Sequence, residues 1–155
     1  MIEITYWITV SCVALTLYVY LGYPTLLYLI TRFYKKPHSI TEGYSDPVTL
    51  IISCYNEHDV IEEKIANSLT IDYPHDLFEI IFVSDGSDDG TDEAIKRHSD
   101  PRIKLIRQEG RLGKTSALNL AVPQALGKFI VFSDANAMYQ PNAVKKLLRN
   151  FGSSD

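Results

Sequence analysis

Four short runs rich in β-branched and aromatic residues, Val48–Ser53, Glu79–Val83, Ile103–Ile106 and Phe129–Phe132, set the tightest limit on how this chain can fold. They are apolar almost without a break instead of alternating, so their side chains need cover on both faces, the condition of a parallel sheet with helices above and below. The intervals carry helical spacing. Ile61, Ile65 and Leu69 recur every fourth residue, and Val144, Leu147, Leu148 and Phe151 form a stripe behind Pro141. Shorter helices are predicted over Thr91–His98 and Thr115–Ala125, the second ending before Gly127. Alternating strands and helices predict an α/β fold, a Rossmann-like, mostly parallel sheet with right-handed crossovers.

Polar clusters punctuate these runs: Ser53-Cys54-Tyr55-Asn56-Glu57, Ser84-Asp85-Gly86-Ser87-Asp88-Asp89-Gly90-Thr91, Gly113-Lys114-Thr115 and Ser133-Asp134-Ala135-Asn136. Three of the four directly follow a strand-like run. Ligands of open α/β sheets bind beyond the carboxyl ends of the strands, so these clusters are expected to converge on one crevice.

The N-terminal part obeys a different rule. No charged residue occurs from Ile4 to Thr31, which exceeds the roughly 20 residues needed to cross a bilayer. A secretory signal wants a basic start and a short apolar centre, whereas Glu3 precedes a long centre rich in Tyr and Leu. The remaining chain is too small to wrap a core helix of that length. A transmembrane helix is therefore expected from about Tyr6 to Leu21, with a bend and an interfacial turn at Gly22 and Pro24. Tyr6, Trp7, Tyr28 and Tyr34 suit an aromatic belt. Arg32, Lys35 and Lys36 come directly after the span, and the positive-inside rule puts the rest of the chain in the cytoplasm, at the inner membrane. Cys12 and Cys54 have neither metal-ligand spacing nor a context that favours a disulfide. The expected organisation is a membrane segment with a basic flank over 1–36, a polar linker over 37–47 and a folded unit over 48–155. Net charge −4 in 155 residues excludes a bulk nucleic-acid surface.

Each cluster admits two chemistries. Asp85, at a strand tip between turning glycines, can accept hydrogen bonds from a ligand's imide or hydroxyl, or can simply cap its own turn. Lys114 at a glycine-led helix start can meet an anion, or can be solvated surface charge. The segment is not a P-loop, which would need glycine where Gln108 stands. Asp134 and Asn136, at i and i+2, can both face a Mg²⁺ or Mn²⁺ that takes its other ligands from phosphate and water, or can form an Asx turn.

Taken in order, the clusters resemble family 2 glycosyltransferases, in particular membrane-bound processive synthases such as those of cellulose and poly-N-acetylglucosamine, over Val48 to Phe151. The resemblance implies a nucleotide-diphospho-sugar transferase fold of the GT-A type, here its nucleotide-sugar-binding half. It implies Tyr55, Asn56 and Glu57 on the nucleoside side and Asp85 on the base. Lys114, ahead of Ala117, Leu118 and Asn119, would line the diphosphate region, with Asp134 and Asn136 standing for the D-x-D metal motif. Ser53 replaces a frequent proline, and Asn136 replaces the last aspartate of that motif. The implied activity is inverting transfer from a nucleotide sugar, expected to be a UDP-sugar, to a saccharide or lipid-linked acceptor. The catalytic base and a Q-x-x-R-W motif are expected beyond residue 155, leaving this chain inactive alone.

Two other functions fit the same pattern. One is a non-catalytic, membrane-anchored interaction domain that keeps the sheet as scaffold. The other is nucleotidylyl transfer, disfavoured because the segment after the first strand is Tyr55-Asn56-Glu57-His58-Asp59, acidic and without glycine.

Overall fold

The computed structural model describes residues 2–34, 43 and 45–151. The chain divides into two compact units, Met1–His38 and Ser39–Asp155. Lys35, Lys36 and most of the expected linker lie outside the described residues.

The first unit is one helix, Ile2–Phe33, long and apolar enough to be a candidate membrane span. It comprises α1 (Ile2–Leu17), a π-helical turn (Tyr18–Gly22) and α2 (Tyr23–Phe33). The expected interfacial turn after Leu21 is not formed, because the helix absorbs Pro24. Proline collides with the carbonyl four residues before it and donates no hydrogen bond. The π turn relieves this by passing the Tyr23 N–H to the Tyr18 carbonyl, five residues back, the usual local form of a π-bulge. None of the side chains of α1 is buried.

The second unit is the expected α/β layer structure. Strands β1 (Val48–Cys54), β2 (Phe78–Ser84), β3 (Ile103–Arg107) and β4 (Phe129–Asp134) form one sheet in the order β3-β2-β1-β4, all pairs parallel. Helices α3 (His58–Leu69), α4 (Thr91–Lys96), α5 (Lys114–Ala121) and α6 (Ala143–Leu148) lie between or after them. The predicted helix over 91–98 stops at Lys96, and the one over 115–125 begins at Lys114 and tightens into a 3₁₀ turn at Val122–Gln124.

Both faces of the central strands are covered. Leu50, Ile52, Ile80 and Phe82 pack with Ile61 and Ile65 of α3, Ala94 and Ile95 of α4, and Val144 and Leu148 of α6. Ile51, Ile81 and Val83 face the other way, onto Ala117 and Ala121 of α5. Each such aliphatic or aromatic side chain contributes about 1.5–3 kcal/mol, so the ends of β1 and β2 are carried on a stiff frame. The stripe expected on α6 is only half buried: Val144 and Leu148 join the core, whereas Leu147 and Phe151 remain exposed. The Phe151 ring instead meets Phe129, 5.3 Å between centroids.

The entry into β4 is held by close contacts. Glu79 accepts from Thr49 Oγ1 at 2.6 Å and from the Leu126 N–H at 3.0 Å, and the Gly127 N–H donates to Thr49 Oγ1 at 2.9 Å. A Cβ on Gly127 would lie 2.3 Å from the Thr49 nitrogen, so only glycine lets the chain pass β1 there.

Candidate functional site

Register brings the strand-end clusters together. Ser53 of β1 pairs with Asp134 of β4, and Cys54 pairs with Ser84 of β2, across the roughly 4.8 Å spacing of neighbouring strands. The chain leaving each strand opens onto one pocket of about 340 Å³ lined by Ser53, Cys54, Tyr55, Glu57, Asp85, Lys114, Ala117, Asp134 and Asn136. Six of the seven residues singled out by sequence therefore share a cavity; Asn56 is not among its lining residues.

Asn56 serves the turn itself. Its backbone is left-handed, φ 52°, a conformation that Asn tolerates better than most residues. Its side chain is spent on Asp88, donating from Nδ2 to Oδ1 at 2.8 Å and accepting from the Asp88 N–H at 3.0 Å. Neighbouring amides extend the seam: Asn56 N–H to Ser87 Oγ at 3.2 Å, Glu57 N–H to Thr91 Oγ1 at 2.9 Å, and His58 N–H to Asp89 Oδ2 at 3.0 Å. The first two clusters are thus one hydrogen-bonded unit, from which Tyr55 and Glu57 face the pocket. The Arg111 guanidinium stacks on the Tyr55 ring, 4.1 Å from its centroid.

Asp85 is buried. It accepts from the Leu112 N–H at 2.9 Å, from the Gly113 N–H at 3.1 and 2.9 Å, and from Gln108 Nε2. The carboxylate therefore shapes the loop that starts α5, and that loop holds Gly113 at φ 93°. Gln108 is fixed in turn by Ser116 Oγ, 2.7 Å from its Oε1. Gly86 passes so close to the loop that an added Cβ would meet the Gly110 carbonyl at 2.8 Å.

Asp134 and Asn136 are both exposed, while Ala135 between them is buried in the core, in a turn closed by the Ala137 N–H on the Asp134 carbonyl at 3.2 Å. Asp134 pairs with Lys114 and accepts from Ser53 Oγ at 3.4 Å. The Lys114 hydrogen bond holds the Asp134 carboxyl below its ordinary range, outweighing the opposing effect of burial, with further help from the charge of Lys114, from Ser53 and from the charge of Lys64. Among the described residues, no group of three or more His, Cys, Asp and Glu side chains is gathered for a metal. One carboxylate and one amide facing an anion-sized cavity still suit a hard cation that arrives with a diphosphate, which supplies the missing oxygens. Lys64 and Gln108, absent from the sequence-based candidates, buttress the pocket from behind. Lys64 was legible as a charged residue on the Ile61/Ile65 stripe of α3, three residues after Ile61.

Comparison with known proteins identifies the same architecture. The model of the family described as glycosyl transferase family 2 matches residues 49–155. The poly-β-1,6-N-acetyl-D-glucosamine synthase of Staphylococcus aureus is 34% identical over 119 residues, 76% of this chain and 28% of the relative. The synthase of the same name from Staphylococcus epidermidis is 30% identical over 120 residues, 76% of this chain and 27% of the relative. The chain thus spans little more than a quarter of the curated relatives it matches. Among solved structures, the mannosyltransferase PcManGT of Pyrobaculum calidifontis, in complex with GDP-Man and Mn²⁺, superposes with TM-score 0.78 and 34% identity over 91% of this chain and 43% of its own. S. aureus TarS 1–349 in complex with UDP-GlcNAc gives 0.61 and 25% identity over 65% of this chain and 30% of its own.

Proposed function

Because the chain belongs to glycosyl transferase family 2, we propose that its α/β unit binds the nucleoside diphosphate end of an activated sugar together with Mg²⁺ or Mn²⁺. The observation that carries this reading is the convergence of Tyr55, Glu57, Asp85, Lys114, Asp134 and Asn136 on one pocket at the carboxyl ends of parallel strands. A UDP-sugar is the donor favoured by the likeness to poly-N-acetylglucosamine synthases and by a neighbour solved with UDP-GlcNAc; the GDP-Man complex of the other neighbour makes the base a point to test. Family membership leaves no ground for nucleotidylyl transfer.

In this reading Tyr55 offers a ring face to the nucleoside, and Glu57 accepts hydroxyl hydrogen bonds. Asp85 keeps the Gly113 loop in place and presents the remainder of its carboxylate to the base. Lys114, at the positive end of α5, meets phosphate oxygens, while Asp134 and Asn136 hold the cation. A cation held there would supply electrostatic stabilisation of the charge that develops on the departing diphosphate. An acceptor-sugar hydroxyl attacks that carbon from the opposite face, with inversion; its proton goes to a general base outside these donor-side residues. The apolar helix Ile2–Phe33 would anchor this chemistry at the cytoplasmic face of the inner membrane, beside a saccharide or lipid-linked acceptor.

Calorimetry on the full chain in detergent or nanodiscs tests the proposal. UDP, GDP and UDP-GlcNAc are titrated with and without Mn²⁺; tighter binding of at least one with Mn²⁺, and loss of that gain in Asp134→Ala, is expected. Nucleotide binding that ignores both Mn²⁺ and the Asp134→Ala and Asp85→Ala substitutions would sink it and favour an interaction domain.

A further inference from the structure

Lys64 lies in the middle of α3 with no accessible surface, an expensive place for an ammonium group unless it has specific partners. Its partners all belong to the end of β4 and the segment beyond it. Nζ donates to Ser133 Oγ at 2.7 Å and to the Ala137 carbonyl, and it lies 4.5 Å from the centroid of the Tyr139 ring. These anchors stand on either side of Asp134 and Asn136. One helical turn on, Asn67 grips the same segment reciprocally, Nδ2 to the Tyr139 carbonyl at 2.9 Å and Tyr139 N–H to Oδ1 at 2.8 Å. The Tyr139 hydroxyl donates back to the Phe132 carbonyl at 3.2 Å, closing the loop on its own strand.

From this geometry we infer that Lys64 is a positioning residue for the cation: it pins both ends of the Ser133–Ala137 turn so that Asp134 and Asn136 face the pocket together. The inference rests on the donor-site reading above and extends it to a side chain that lines no part of the pocket. A turn with one carboxylate and one amide has little affinity to spare, so the two oxygens must already be aligned before the cation arrives. A neutral hydrophobic residue would fill the slot but leave the Ala137 carbonyl without this donor. Burial lowers the Lys64 ammonium to about 8, the Asp134 charge opposing the fall, so at pH 7 it still carries its proton and all its donors.

Lys64→Met and, as a milder variant, Ser133→Ala are each compared with the unmodified full chain by calorimetry with UDP or GDP, whichever binds, at zero and saturating Mn²⁺. The expected result is nucleotide affinity without metal unchanged within a factor of two, and a gain from Mn²⁺ reduced about tenfold in Lys64→Met and about threefold in Ser133→Ala. Amide hydrogen exchange read on 133–139 without ligand is expected to rise in both. If folded Lys64→Met keeps the full Mn²⁺ gain, or if both affinities fall together, the positioning role is wrong. Should Lys64→Met not fold, Ser133→Ala decides alone, an unchanged Mn²⁺ gain overturning the inference. An unmodified chain with no Mn²⁺ gain at all refutes the donor-site reading and this inference with it.

Discussion

The Lys114 ammonium, at the start of α5, is paired with the Asp134 carboxylate at the end of β4, so the group read as the phosphate ligand neutralises the group read as the metal ligand. Both side chains are more than half exposed, and the pair is easily exchanged. A nucleoside diphosphate and its cation can therefore enter by separating the two, each taking the partner of opposite charge.

That exchange predicts opposite effects of one substitution. Lys114→Ala is expected to weaken nucleoside diphosphate binding about tenfold by loss of one charge-assisted contact, yet to tighten Mn²⁺ alone severalfold, since the competing cation is gone. The Asp134 carboxyl, held low chiefly by Lys114, should titrate higher in the variant, so that Mn²⁺ binding is lost at higher pH as acid is added. Calorimetry and carboxyl-detected NMR read both effects. Parallel weakening of metal and nucleotide would contradict the exchange.

Asp85 is expected to matter before any ligand arrives. It gathers the Leu112 and Gly113 amides and Gln108, and removing a buried acceptor of several donors costs about 2 kcal/mol. Asp85→Ala should therefore lower stability in denaturant melts, and a double-mutant cycle with Gln108→Ala should show coupling of about 1 kcal/mol. A variant as stable as the parent would mean that Asp85 serves the ligand alone.

The seam between the first two clusters gives a graded series. Asn56→Gly keeps the left-handed turn but loses the Asp88 pair, at a cost of about 1 kcal/mol. Asn56→Ala adds the left-handed penalty, about 1 kcal/mol more. Melts in which Asn56→Ala is as stable as Asn56→Gly, or more so, would show that the φ of 52° does not limit this position.

Much of this arrangement was legible beforehand because its determinants are local. β-branched and aromatic apolar runs bounded by turn residues, such as Ile80–Val83, read as buried strands, and a carboxylate at or just past a strand's carboxyl end, as at Asp134 or Asp85, falls at the sheet's ligand edge wherever the strand sits. What escaped depends on contacts between distant residues. Asn56 had the composition of a ligand residue until Asp88, 32 residues on, took its amide. Lys64 shares the buried face of α3 with Ile61 and Ile65, but its partner Ser133 stands 69 residues later, so its role was not among the sequence expectations. The interfacial turn expected after Leu21 is replaced for a local reason, since a π turn accommodates Pro24 and the helix runs on to Phe33.

Cys54 lines the pocket, yet the thiol should be chemically silent. Burial pushes it up to about 12 from 9.0, with the charges of Asp92, Glu57 and Asp89 adding to the effect, and its Sγ lies 3.5 Å from the Val83 carbonyl. Only the thiolate is nucleophilic. In a Cys12→Ser background at pH 8, alkylation by iodoacetamide should therefore run far slower in the folded chain than in urea, because burial raises the thiol and withholds the thiolate. The linkage has a definite sign. The unfolded thiol ionises near 9 while the folded one keeps its proton to about 12, so the protection is fully present below pH 9 and stability declines from there to pH 12. Rapid labelling of the folded chain at pH 8, or melts flat across that window, would show that Cys54 is open to solvent and available to react in the donor pocket.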